Sequence, residues 1–170
     1  MNLDEIIDKR YSVRKFKQDK IPDDLIKKIV NAGRLAPTGN NAQPQKFYII
    51  NSDEGRKKLK ENNIFKQEFV YNAPVIIICV GNPDSYPSVE GDNSVRAIRD
   101  VSIASAFMVL KATELGLGTC YVGWVNKDKV KEVFNITERY TIPYIIALGF
   151  PDIEQHDRKR KPLEEFYEEI

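Results

Sequence analysis

The sequence has only one histidine and two cysteines among its 170 residues. His156 lies beside Asp157 and Arg158, a charged setting typical of solvated surface, whereas a catalytic imidazole needs a dry, packed site. Neither Cys79 nor Cys120 has a further metal-binding side chain at the spacing of zinc ligands. The sequence therefore predicts no protein nucleophile and no metal site.

Long apolar runs and an excess of one charge are also missing. The longest apolar run, 75–80, has the length of a strand, whereas about 18 residues are needed to span a bilayer, and residues 1–10 are polar where a signal peptide is apolar. Basic and acidic side chains number 26 and 25, without the basic excess of a nucleic-acid binder. We expect no membrane or nucleic-acid partner. Two cysteines inside apolar segments predict reduced thiols and a cytoplasmic location.

Glycine-rich phosphate loops are the last absence. No Gly-x-Gly-x-x-Gly follows a strand, and no Gly-x-x-x-x-Gly-Lys-Ser occurs. Gly116-Leu117-Gly118 is explained more simply by a helix end followed by a turn. With no nucleophile, metal or acid-base pair in the sequence, any catalysis must come largely from a cofactor.

What is present is a folded α+β pattern. Hydrophobic residues make up 42% of the chain and charged residues 30%, values of a globular protein whose length fits one domain, 1–170. Apolar periodicity and turn residues predict the elements. The predicted helices are 3–9, a segment from Pro22 that stops before Pro37, 54–59, 97–115, 127–133 and a short one near 163–169. The predicted strands are 47–50, 75–80, 119–122 and 141–148. Residues 81–94 are predicted to form a mobile surface loop, and residues from Phe150 onward a charged tail.

Arg10, Ser12 and Arg14 occupy alternate positions of an extended segment, so that their side chains share one side. Two guanidiniums around a hydroxyl suit a phosphate or another oxyanion. An ordinary polar strand face explains the same pattern. Arg158 and Arg160 near the carboxyl end either lie on solvated surface or complete a phosphate site.

Two further segments carry groups that suit a planar ring. The loop 36–44 holds asparagine and glutamine amides that can meet a flavin pyrimidine or a nucleobase, although an ordinary turn has the same composition. In segment 117–124, small residues let a ring approach the backbone closely, and a buried strand entering a turn is the other interpretation.

Together and in this order, these segments resemble the nitroreductase family of flavoenzymes. The family has Arg-x-Ser-x-Arg after a short helix, matched by 10–16, and Ala-Pro-Ser/Thr-x-x-Asn-x-Gln-Pro, matched by 36–44. A long helix then runs into Gly-Leu-Gly-Thr at 116–119. A Gly-Tyr/Phe-Pro segment at 149–151 precedes the basic pair Arg158 and Arg160. The resemblance covers nearly the whole chain.

The resemblance implies an α+β nitroreductase-like fold, with a central mixed or antiparallel sheet flanked by helices and a carboxyl-terminal tail that extends onto the partner of a homodimer. It implies an FMN-dependent oxidoreductase that takes hydride from NADH or NADPH at flavin N5. In a ping-pong cycle, the electrons pass to electron-poor acceptors such as nitroaromatics or quinones, without a catalytic side chain. The alternatives are a flavin enzyme with another acceptor (dehalogenase-like or flavin-fragmenting) and a non-catalytic flavin-binding protein.

The same resemblance implies a set of FMN contacts. Arg10 and Ser12 look like contacts of the phosphate and ribityl chain, Arg14 of the pyrimidine, and Arg158 and Arg160 of the phosphate. Tyr11, at a position that the family often fills with Arg or His, is counted with them. The contacts implied from the other subunit are Pro37, Thr38, Gly39 and Asn41. The backbone contacts implied near flavin N5 are Val122 and Gly123. Longer family members insert helices that shape the substrate pocket, and here 81–94 is the comparable segment.

Overall fold

The computed structural model describes residues 1–87, 92–156 and 158–170. Among these, the helices are α1 (Leu3–Lys9), α2 (Asp23–Arg34), α3 (Asp53–Glu61), α4 (Glu68–Tyr71), α5 (Asn93–Glu114) and α6 (Lys127–Phe134). The strands are β1 (Gln45–Ile50), β2 (Val75–Gly81), β3 (Gly118–Val122) and β4 (Ile145–Gly149). Single 3₁₀ turns lie at Gly39–Asn41, Pro83–Ser85 and Leu163–Glu165.

Polar side chains define where several helices begin. Asn2 accepts a hydrogen bond from the Glu5 N–H at 2.9 Å, and the Glu5 carboxylate accepts one from the Asn2 N–H at 3.2 Å, forming a capping box. Asp92 accepts from the Ser94 N–H at 2.8 Å at the start of α5. These bonds satisfy donors that the first helical turn leaves unpaired.

The strands form one antiparallel sheet in the order β1-β2-β4-β3. Strand β2 lies inside the sheet and is buried along its whole length, as its continuous apolar run predicts. Strand β3 lies at the edge, so one side of its backbone is available to another segment.

Each face of the sheet packs against its own helices, because alternate strand residues point to opposite faces. Ile77 and Cys79 of β2 join a core cluster with α2 and α5. Ile76 and Ile78 join a second cluster with residues of α3, α4 and α6. The sheet therefore forms the middle of three layers, and both cysteines are free and buried.

The predicted α+β class with helices around the sheet is confirmed, and the largest errors in the element bounds concern β4, α5 and the end of the tail. Strand β4 starts at Ile145 and not at 141, since Pro143 cannot donate to the ladder. Helix α5 begins at Asn93 and not at 97, because Asp92 provides the cap. Residues 163–165 form one turn where a helix to 169 was predicted, because every residue from 161 to 170 is exposed and a short helix needs packing.

The predicted loop 81–94 is shorter than expected, and α4 was not predicted. Gly81 belongs to β2, Asn82 caps the turn at Pro83–Ser85, and Asn93 starts α5. The part of this prediction that concerns 88–91 lies outside the described residues. The four-residue α4 contains Tyr71, whose hydroxyl donates to the Phe65 carbonyl at 2.8 Å.

Candidate functional site

The segment 10–16 lies along the outer edge of β3. The Val13 N–H donates to the Thr119 carbonyl at 2.9 Å, and the Val13 side chain is completely buried. Because successive side chains alternate, Ser12 and Arg14 lie on the exposed side, as the sequence predicts. Gly118 permits this approach: a Cβ at that position would lie 2.4 Å from Val13 Cγ2.

Both ends of the chain contribute arginines to one cavity of about 250 Å³. We call it the cationic cavity. Its lining consists of Arg10, Tyr11, Ser12, Arg14, His156, Arg158 and Arg160. Burial, followed by the charges of Arg158 and Arg160, lowers the pKa of Arg10. The guanidiniums therefore repel one another, and an anion in the cavity would relieve that repulsion.

Arg158 holds the tail against the end of α1. Its Nη1 donates to the Arg10 carbonyl at 2.8 Å and to the Ile7 carbonyl at 3.0 Å, and its Nη2 donates to the Asp8 carbonyl. These carbonyls close the last turn of the helix, where a cation is favourable. Arg158 thus lines the cavity while also fixing the backbone of Arg10.

Further contacts join the tail to the segment 10–16. The Tyr11 hydroxyl donates to the Ile153 carbonyl at 2.6 Å, and the Lys15 ammonium lies 2.9 Å from the Asp152 carboxylate. The phenol of Tyr11 therefore points toward the tail. Pro151, Asp152, Ile153 and Arg158 contact other segments of their own chain, while residues 161–170 are all exposed.

The thiol of Cys120 lies next to the same cavity. Burial raises its pKa, whereas Arg14, Arg10 and the Ser12 hydroxyl act in the opposite direction. A raised pKa keeps the sulfur as a thiol at neutral pH, and a thiol is a poor nucleophile. We conclude that Cys120 is part of the packing beneath the arginines.

A hydroxyl network lies on the other side of β3. The Ser105 hydroxyl, fully buried, is 2.6 Å from the Tyr144 hydroxyl and 3.0 Å from the Tyr121 hydroxyl. Burial raises the pKa of Tyr121 to about 12. The phenol therefore stays protonated at neutral pH and ties α5 to the strand edge.

The predicted ring-binding loop is exposed and has an unusual backbone. Asn40, Asn41 and Gln43 have left-handed φ angles of 54°, 53° and 48°. The Gln43 N–H donates to Thr38 Oγ1 at 3.1 Å. The Gly39 N–H donates to Oδ2 of Asp100 on α5 at 2.9 Å. The loop is thus shaped by its own polar groups and held by one buried carboxylate.

Val122 and Gly123 lie where β3 ends. The Val122 side chain is buried, whereas Gly123 is exposed and a Cβ there would meet nothing within 4 Å. The open space in front of Gly123 suits the close approach of a planar ring to the backbone. Trp124 follows, 64% exposed, with the Lys66 ammonium 4.8 Å from its ring centre.

The structure brings the predicted contacts of segment 10–14 and of the tail together in the cationic cavity. Val122, Gly123 and the loop do not line that cavity. Gly39 lines a different cavity, of about 430 Å³, formed by Gly39, Asn40, Tyr86, Arg96, Arg99 and Asp100. Pro37, Thr38 and Asn41 are not part of the cationic cavity either. A loop that faces away from its own arginines is the arrangement expected if it serves a second subunit, which stays a prediction.

Sequence analysis missed three residues at these places. His156 is exposed, as predicted, yet it lines the cationic cavity. Asp100 and Tyr86 are 7% and 8% exposed and lie behind the loop. An acidic residue on the otherwise apolar face formed by Ala97, Val101 and Ala104 was the available signal for Asp100.

The described residues contain no candidate metal site and no candidate membrane-spanning helix. Within 1–87, 92–156 and 158–170, no three side chains of the His, Cys, Asp or Glu types form a group that could hold a metal ion. Across those residues, no helix combines the length and the apolarity needed to cross a bilayer.

Comparisons with known proteins agree on one family. The model of the nitroreductase family matches residues 7–64 and 61–150. A nitroreductase family protein from Clostridium difficile 630, solved by crystallography, is 31% identical, covers 99% of this chain and 98% of its own, and has a TM-score of 0.87. An NADPH-dependent oxidoreductase of Staphylococcus haemolyticus is 29% identical, over 96% of this chain and 71% of that protein.

A third relative extends the likeness in fold. A protein from Exiguobacterium sibiricum 255-15, assigned to the nitroreductases and solved in complex with FMN, has a TM-score of 0.91. The match covers 100% of this chain and 98% of that chain at 19% identity. The two proteins share the same fold.

Proposed function

The chain belongs to the nitroreductase family, and on that premise we propose that it is an FMN-dependent oxidoreductase that uses NADH or NADPH to reduce electron-poor acceptors such as nitroaromatics or quinones. A cytoplasmic setting is part of the proposal, supported by two free, buried cysteines. Hydride and electron transfer are the chemistry that FMN supplies when bound.

The observation that carries the proposal is the cationic cavity. Four arginines and Ser12 surround a volume of about 250 Å³, and no carboxylate of the described residues lines it. The Asp8 carboxylate lies outside the lining, 3.7 Å from Nη2 of Arg158. Phosphate carries negative charge and acceptor oxygens, which guanidinium groups cannot supply to one another. Arg10, Ser12 and Arg160 bind the phosphate end in this proposal, and Arg158 both contributes charge and holds Arg10 in place.

The remaining residues of the proposal orient the ring. Arg14, on the same side of the segment as Arg10, places a positive charge toward the pyrimidine and stabilises negative charge that develops there. Gly123 leaves room for the ring against the end of β3. No side chain is assigned as a proton donor, since both thiols are buried and the phenol of Tyr121, whose pKa is raised to about 12, is a weak acid.

The proposal includes a homodimer in which the loop 37–43 faces the flavin of the other subunit. Two features support it. Ile103 and Phe107 of α5 are 41% and 44% exposed, and Phe107 lies in an apolar groove of about 450 Å³ between α1, α2 and α5. The tail contains Leu163 and Phe166, which are 68% and 65% exposed. Their side chains become buried if the tail extends onto a partner.

FMN titration tests the phosphate end of the proposal. Arg10→Ala removes a charge-assisted contact worth roughly 1.5–3 kcal/mol, so the FMN dissociation constant is expected to rise by about 10- to 150-fold. Riboflavin has no phosphate and reports on the ring and the ribityl chain, so its affinity should change less than that of FMN. Lys9→Ala is the matched control, because it removes a neighbouring exposed positive charge that does not line the cavity.

Anaerobic addition of NADH or NADPH tests turnover. Flavin-loaded protein should lose its yellow colour with a nicotinamide donor and regain it with a quinone or nitroaromatic acceptor. Flavin that binds but does not bleach supports the non-catalytic alternative, and bleaching without reoxidation by these acceptors supports the alternative of a different acceptor. A wild-type protein that binds no FMN refutes the proposal.

A further inference from the structure

A buried carboxylate lies behind the loop 37–43. Asp100 belongs to α5 and is 7% exposed. Its Oδ2 accepts two hydrogen bonds, from the Gly39 N–H at 2.9 Å and from the Tyr86 hydroxyl at 2.6 Å. Hydrogen bonds to an ionised acceptor are stronger than neutral ones. One side chain of the central helix therefore holds a loop that lies 61 residues earlier in the chain.

The loop needs such an anchor. Asn40, Asn41 and Gln43 occupy the left-handed region, which side chains larger than glycine adopt only where the surroundings fix them. Among the described residues, the other hydrogen bonds of residues 37–43 are internal to the loop, such as that from the Gln43 N–H to Thr38 Oγ1 at 3.1 Å, and these do not fix its position relative to α5. The bond from Gly39 to Asp100 does.

Tyr86 holds the carboxylate in turn. It is 8% exposed, and its pKa is raised by burial and by the hydrogen bond to Asp100. The hydroxyl therefore remains a donor across the physiological pH range. Tyr86, Asp100 and Gly39 form a chain of contacts from the segment after β2, through α5, to the loop.

We propose that Asp100 is a positioning residue that sets the orientation of the loop 37–43 toward the flavin ring, with Tyr86 orienting the carboxylate. This inference rests on the proposed function, in which the loop contacts the ring. The phosphate end of the ligand lies with the arginines of the cationic cavity. Loss of Asp100 therefore weakens binding of the ring, whereas loss of Arg10 weakens binding of the phosphate.

The test compares Asp100→Ala, Asp100→Asn and Tyr86→Phe in flavin titrations. Asp100→Ala is expected to raise the dissociation constants of FMN and riboflavin by the same factor, at least tenfold. Asparagine keeps an oxygen that can accept from Gly39 and Tyr86, so Asp100→Asn should restore both affinities to within about threefold of wild type. Tyr86→Phe leaves the bond to Gly39 in place and should raise both constants by a smaller factor than Asp100→Ala.

Asp92→Ala is the matched control. Asp92 also accepts a backbone N–H of α5, that of Ser94 at 2.8 Å, but it caps the helix and does not touch the loop. It should lower thermal stability and leave both flavin affinities unchanged. Equal weakening by Asp92→Ala and Asp100→Ala would show a general effect of α5 and overturn the inference.

Hydrogen exchange on the flavin-free protein gives a readout that does not depend on the cofactor. Amides of residues 37–43 should exchange faster in Asp100→Ala than in wild type or Asp92→Ala. If Asp100→Ala does not fold, Tyr86→Phe decides, and unchanged flavin affinity together with unchanged exchange refutes the inference. Wild-type protein that binds no flavin refutes the proposed function, whereas flavin-binding wild type with an equally tight, folded Asp100→Ala refutes this inference alone.

Discussion

Gly118→Ala perturbs the contact that places the segment 10–16 on the sheet. An added Cβ would lie 2.4 Å from Val13 Cγ2 and 2.9 Å from Val13 Cβ, closer than atoms of folded proteins approach. Val13 is completely buried and branched at Cβ, so its side chain has no free rotamer to adopt. The segment must move off β3, or the core must deform around it.

The expected loss of stability follows from two opposing effects. Overpacking a filled site costs typically about 1–3 kcal/mol, while replacing glycine inside a strand returns roughly 0.5–1 kcal/mol. The net cost is therefore on the order of 1–2 kcal/mol, which lowers Tm by about 2–8 °C in a domain of this size. Because the displaced segment carries Arg10, Ser12 and Arg14, FMN affinity should fall as well.

Thermal unfolding of the flavin-free protein, followed by circular dichroism, measures the effect. Gly123→Ala is the matched control, since a Cβ at Gly123 meets nothing within 4 Å and should leave Tm unchanged. Val13→Ala removes Cγ2, the atom that the new Cβ would approach most closely, and keeps Val13 Cβ, so the double variant should be less destabilised than the sum of the single variants. Equal Tm values for Gly118→Ala and Gly123→Ala, or simple additivity with Val13→Ala, would refute the packing argument.

Two further predictions concern the thiols and the assembly. Cys79→Ala and Cys120→Ala should each lower the unfolding free energy by about 1 kcal/mol and leave turnover per bound flavin unchanged; loss of turnover with flavin still bound would show that a thiol takes part. Light scattering across a dilution series, read beside flavin fluorescence, should show dissociation and FMN loss together, because each proposed site draws on two subunits. A monomer of 19.5 kDa that keeps its flavin would contradict the dimer.

Local patterns predicted most of the fold. Strand β2 was predicted from its continuous apolar run. Helices α1 and α6 were predicted from their caps. Each of these patterns lies within a few residues. Strand β4 was predicted too long because the periodicity of 141–148 outweighed Pro143. The helix near 163–169 was predicted from composition, which does not reveal whether a packing partner exists.

In the candidate site, too, residues with a local sequence pattern were predicted, and residues placed by distant contacts were not. Arg10, Ser12 and Arg14 were found because their alternate spacing is visible in the sequence. His156 was interpreted as a surface residue because its sequence neighbours are charged. Its exposure agrees with that interpretation, but the neighbours do not reveal that it lines the same cavity as the arginines. The contact between Asp100 and Gly39 spans 61 residues, and no local pattern encodes a hydrogen bond over that distance.

The contact between Arg158 and the end of α1 has a consequence for how the protein is made. Arg158, whose guanidinium reaches the Arg10 carbonyl, is synthesised 148 residues after Arg10. At roughly 5–20 residues per second of synthesis, Arg10 waits about 7–30 seconds for the arginines that complete the proposed phosphate site. The proposed site thus depends on contacts between residues that are far apart in the sequence. In the proposed function, cofactor loading must therefore follow synthesis of Arg158, because a polypeptide that ends before it lacks two of the four arginines of the cationic cavity.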